Sequence, residues 1–119
     1  MNYRTLLPKL TYRGLVKAPR RHYHVLEGEK CYVVFSPKDD AAGNYNIVPK
    51  KAVNYLVKRA GGKQFKSTAE VFNMCKGSIF FPDRFSVLNA VYALIAVNGA
   101  RISKQEGNKL FFNIWKAGS

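Results

Sequence analysis

The reading of PDRFSVLNAVYALIAVNG, residues 82–99, decides the fold. Pro82 suits a first helical turn, where its missing N–H breaks no bond, and Asp83 complements the positive end of the helix dipole. Phe85, Leu88, Val91, Tyr92 and Ile95 recur at helical spacing, and Val87 and Leu94 widen the stripe. Asn98-Gly99 is a helix stop. The spacing predicts a helix over 82–97.

Two shorter helices are predicted upstream. Pro49 opens one over 49–60, with Ala52, Val53, Leu56, Val57 and Ala60 on one face and Gly61-Gly62 as its end. Lys63–Lys66 is a short extended connector. Ser67-Thr68-Ala69-Glu70 reads as a capping box, in which each side chain satisfies an orphan N–H. It opens a helix over 68–76 with Val71, Phe72 and Cys75 inward and Gly77 as its stop.

Downstream, 100–103 and 109–115 flank the polar turn Lys104–Asn108 and are expected to pair as a hairpin. Leu56, Val71, Phe72, Leu88, Ile95, Ile102 and Phe112 are expected to be buried together. Phe111 and Trp115 alternate to the hairpin's other face. That face needs a cover, from the N-terminal hairpin or from a second subunit in a homodimer.

His22–Leu26 and Cys31–Phe35 are rich in β-branched and aromatic residues, and Glu27–Lys30 between them supplies turn chemistry, so a hairpin is expected. Ser36–Asn44, with Pro37, Asp39, Asp40 and Gly43, reads as a loop, and Tyr45–Val48 as a short strand. Residues 1–21 read as a basic arm, its apolar residues interrupted by Pro8 and closed off by Pro19. With 119 residues, 47% of them hydrophobic, the chain is long enough for one domain, 22–119, behind that arm.

The order of elements from about Val48 to Trp115 resembles the winged helix-turn-helix superfamily. The matching features are Ser67-x-x-Glu70, the turn Gly77–Phe81, the apolar stripe of the third helix, the Asn98-Gly99 stop and the Lys104–Asn108 wing. The turn is longer than the tightest versions. Ala90, Ala93 and Ala96 stand where such helices often carry Arg or Gln. The resemblance implies an α+β fold: three helices and a C-terminal hairpin wing, preceded by the basic arm and the N-terminal hairpin. It further implies that the third helix enters the major groove with Arg84, Ser86 and Asn89 facing bases. Lys66, Ser67 and Thr68 would meet phosphate at a helix start. Lys104, Gln105, Asn108 and Lys109 would be wing contacts, and Arg20 and Arg21 phosphate contacts of the arm.

Charge points the same way. Twenty Lys and Arg against seven Asp and Glu give a net charge of +13. Self-repulsion of that size is offset by an anionic partner, and nucleic acid is the first candidate because its phosphates release counterions to Lys and Arg. Residues 1–24 carry six bases and no acid, and residues 50–119 carry twelve bases and three acids. Duplex DNA is the leading partner, with the protein as a transcription regulator or accessory factor. RNA, and a partner protein, are the alternatives.

Chemistry is less visible. The two cysteines, Cys31 and Cys75, form no CxxC pair, so a disulfide scaffold or zinc finger is not expected, and reduced thiols point to the cytoplasm. His22-x-His24 with Cys31 lacks a fourth metal ligand. Glu27/Glu29 and Asp39/Asp40 fall in turns, where solvated carboxylates are ordinary. There is no nucleophile–base arrangement and no phosphate-binding glycine loop, so neither an enzyme nor a cofactor is expected. The longest apolar stretch, Phe85 to Val97, is short of the roughly 20 residues of a membrane span.

Overall fold

The structure, a computed structural model, describes residues 10–19, 21–39, 42–65 and 67–116. Strands β1 (Thr11–Lys17), β2 (His22–Glu27), β3 (Cys31–Asp39) and β4 (Ala42–Pro49) come first. Then follow α1 (Lys50–Ala60), β5 (Lys63–Phe65), α2 (Thr68–Cys75), α3 (Arg84–Ala96), β6 (Ala100–Glu106) and β7 (Lys109–Ile114). The first four strands form one antiparallel meander in the order β1-β2-β3-β4, and the last three a sheet in the order β5-β7-β6.

The helices stand within two residues of where periodicity places them, but the expected fold class does not hold. A four-stranded sheet N-terminal to the helices replaces the arm and single hairpin of a winged helix-turn-helix reading. The described end of the arm is β1, paired along β2 from Thr11↔Glu27 to Lys17↔His22. The residues of the arm before Leu10 lie outside the described residues.

Local chemistry explains both misread segments. Gly14, at φ +137°, takes a backbone conformation that side chains avoid, and the strand bulges there, which breaks its alternation. Arg13 at the bulge reaches Glu27 at 3.4 Å. Ser36–Asn44 is not a loop: β3 and β4 pair through Pro37↔Gly43. Pro37 is tolerated because β2 pairs with β3 only as far as Phe35, so β3 has no second neighbour there. Gly43 leaves room for the Phe35 ring in its present place, since a Cβ would lie 2.3 Å from it.

The sheet exists to cover α3. That helix packs against α1, α2, β6 and all four strands of the first sheet. Val87, Asn89, Ala90, Val91, Tyr92, Ala93 and Leu94 are buried along it. Val16, Val25, Val34 and Val48, one from each strand, form the facing layer. Tyr23 stacks on Tyr92 with ring centroids 4.4 Å apart. Burial pushes the Tyr92 hydroxyl well above its ordinary range, with Tyr23 adding to the shift. Of the expected core, Leu56, Val71 and Phe112 are fully buried, while Phe72, Leu88, Ile95 and Ile102 are half-buried against it. Among the described residues no helix is long and apolar enough to cross a membrane.

Candidate nucleic-acid interface

Five of the sequence-selected residues meet in one cleft of about 400 Å³, lined by Ser67, Thr68, Arg84, Asn108 and Lys109 together with Ala18, Pro19, Ala69, Leu88, Tyr92 and Leu110. The cleft lies where the starts of α2 and α3, the tip of the β6–β7 hairpin and the β1–β2 turn come together. The turn is held by the Ala18 N–H, which donates to the Arg21 carbonyl at 3.0 Å, and Arg21 itself is exposed. Among the described residues no carboxylate lines the cleft. Arg20 and Lys66, adjacent to it in sequence, lie outside the described residues.

The start of α2 differs from the sequence reading. Ser67 is the extended N-cap, but its hydroxyl makes no capping bond, so the expected Ser67–Glu70 capping box does not form. A backbone bond closes this turn, the Glu70 N–H donating to the Ser67 carbonyl at 3.2 Å. The first N–H groups of α2 therefore add partial positive charge beside Arg84 and Lys109.

The capping box forms instead on α3. The Ser86 N–H donates to Asp83 Oδ1 at 2.8 Å, the Asp83 N–H donates to Ser86 Oγ at 3.4 Å, and the Ser86 hydroxyl donates to the Asp83 carbonyl at 2.7 Å. Ser86 is thus committed to its own helix. Asn89 is 5% exposed. Both line a second cleft on another side, with Asn46, Ile47, Phe85 and Asp83. With Asn89 turned into the fold and Ser86 held in its own cap, Arg84 alone of the three stands in the cationic cleft.

The remaining hairpin residues are engaged locally. Lys104 Nζ is 2.7 Å from Glu106 and sits 5.5 Å over the Phe111 ring. That bond holds the Glu106 carboxyl below its ordinary range. Gln105 Nε2 donates to the Gly107 carbonyl at 3.1 Å, bracing the turn. Lys109 is left as the hairpin's cation in the cleft.

The metal reading of the first hairpin is also placed. The Tyr12 hydroxyl and His24 Nδ1 are 2.8 Å apart, and His22 faces Lys17 across β1 and β2. Among the described residues no three His, Cys, Asp or Glu side chains converge. Burial pushes the Cys75 thiol up, in keeping with a core position.

Sequence reasoning missed the outer face of the first sheet. Tyr12, Leu15, Tyr45 and Ile47 are all exposed there. The available signal was that His22–Leu26 and Cys31–Phe35 are apolar or aromatic at consecutive positions, which gives a strand two apolar faces and not one. Compared with known proteins, the chain matches no family model, no curated protein and no solved structure, and nothing in those comparisons ties it to the winged-helix superfamily.

Proposed function

We propose that the protein binds nucleic acid, duplex DNA foremost, by gripping the phosphate backbone, and acts as a regulator or accessory factor without catalysing a reaction. The observation that carries this reading is the acid-free cleft in which Arg84, Lys109 and the uncapped start of α2 converge from separate parts of the chain. A phosphate there meets a guanidinium, an ammonium and backbone N–H groups at once. The net charge of +13 supports it, because a fold so cationic gains from an anionic partner.

Burial of α3 sets the mode. With Asn89 inside the fold, base-edge reading by that helix is removed, and contacts are to phosphate, which position a protein without specifying sequence. Binding is then steeply salt-dependent and weakly selective among sequences. The test compares duplex DNA, single-stranded DNA and structured RNA across salt concentrations with the purified protein. Salt-dependent duplex binding without enrichment of a site from a random pool is expected. Tight RNA binding with no duplex binding at low salt would transfer the reading to RNA.

A further inference from the structure

We propose that the outer face of the four-stranded sheet is a stacking platform for the unpaired bases of a single-stranded nucleic acid. This rests on the nucleic-acid reading above and adds a second surface to it. Two cross-strand rows build the face. One runs Leu15, His24, Phe35, Tyr45 and the other Tyr12, Leu26, Val33, Ile47, each taking one residue from every strand. Neither row contains a charge. Of the seven large apolar side chains exposed on the described surface, four stand here: Tyr12 at 55%, Leu15 at 43%, Tyr45 at 70% and Ile47 at 71%.

The rings form a tied layer. His24 and Phe35 lie 6.3 Å apart at 30°, and Phe35 and Tyr45 4.6 Å apart at 27°. Phe35 is seated over Gly43, where an added Cβ would displace its ring. The Tyr12 hydroxyl fixes His24 from the side. A pre-set aromatic layer loses little freedom on binding, and it suits a flat ring better than an irregular protein surface.

Charge chooses the occupant. A second copy would set +13 against +13. A polyanion with apolar ring faces meets both features of this surface, and single-stranded nucleic acid is such a molecule. Cations stand beside the first row, where Lys17, paired with His22, lies beyond Leu15 and His24 and leads into the exposed Arg21. The same β1–β2 turn forms a wall of the phosphate cleft through Ala18 and Pro19, so the backbone track and the stacking face are continuous.

The experiment measures anisotropy of labelled oligo(dT) and of a random-sequence duplex with the full chain and with Tyr45→Ala, Tyr45→Leu and Tyr45→Phe, each checked for an unchanged thermal melt. Tyr45→Ala and Tyr45→Leu are expected to weaken oligo(dT) binding about tenfold, Tyr45→Phe to restore it, and all three to leave duplex affinity unchanged. Duplex binding with an oligo(dT) affinity indifferent to Tyr45 overturns the platform and leaves the nucleic-acid reading standing. Binding of neither probe overturns both. A dimer that Tyr45→Ala dissociates in sedimentation, or anionic vesicles that bind in place of oligo(dT), assigns the face to another occupant and also overturns the proposal.

Discussion

The two sheets treat their outward aromatic rings differently. On the three-stranded sheet, Lys104 sits 5.5 Å over Phe111 and Arg101 5.8 Å over Trp115, so each ring has a cation of its own chain above it. On the four-stranded sheet, Tyr12, His24, Phe35 and Tyr45 contact one another, and among the described residues no cation stands over their rings. Charge on a strand can therefore shield an apolar face as well as bind a partner. The shielded sheet carries the hairpin whose tip lines the cationic cleft, and the unshielded sheet leaves its rings exposed. The N-terminal strands do not serve as the cover expected for Phe111 and Trp115, since their inner face is spent on α3.

The sharpest way to break this contrast is to compare neighbours on one strand. Phe112 is fully buried and Phe111 is not. Phe112→Ala is expected to cost about 3–5 kcal/mol in denaturant unfolding, and Phe111→Ala about 1 kcal/mol. Equal losses would mean that the hairpin has no shielded outer face.

Alkaline unfolding sharpens the inner side of the larger sheet. Tyr32 and Tyr92 are raised mainly by burial, as is Cys75, and Lys50 is raised by its hydrogen bond to Glu27 at 2.6 Å. A folded pKa above the unfolded one means that the folded state holds protons longer, so the stability is present in full below the unfolded pKa and is lost as pH rises through the folded one. Stability is expected to hold through neutrality and to fall from about pH 9, the ordinary thiol value, upward. High salt in the assay suppresses the accompanying change in self-repulsion. Stability that rises between pH 9 and 11 would place these groups outside the core (roughly the range in which thiols and phenols ionise).

The smallest expected effect is at Ser36. It is 3% exposed, and among the described residues its Oγ has no hydrogen-bond partner. Ser36→Ala removes a buried hydroxyl that gains nothing, so stability is expected to rise by about 1 kcal/mol. A loss of that size would reveal a bond that Ser36 makes in solution.

Much of the helical half was legible because α1 and α2 each have one apolar face, α3 is a long apolar run, and every helix has a stop: Gly61-Gly62, Gly77 and Asn98-Gly99 all fall just past a helix end. The first sheet was not legible for local reasons. Arg13 and Lys17 make β1 look like a basic tail, Gly14 breaks its alternation, and Pro37 and Gly43 imitate a loop. The burial of α3 was written in Ala90, Ala93 and Ala96, small residues that let neighbours approach from several sides, and a helix apolar all round is a buried one. Asn89 misleads because a polar residue in an apolar stripe reads as outward, and only the covering sheet corrects it. The capping pattern was found on the wrong helix: Ser67-x-x-Glu70 fits the rule by sequence, while Asp83-x-x-Ser86 makes the bonds. In the site itself, the residue types were legible but their convergence was not, because the cleft needs β1, α2, α3 and the hairpin tip together.

The central claim is that Arg84 and Lys109 hold phosphates in one cleft, and the salt dependence of duplex binding tests it most directly. The logarithm of affinity is measured against the logarithm of salt for the unaltered protein, Arg84→Ala, Lys109→Ala and the double variant. Each single change is expected to lower the slope by about one and the double change by about two, alike for all duplex sequences. Slopes unchanged in all three variants, or no duplex binding at low salt, would contradict it.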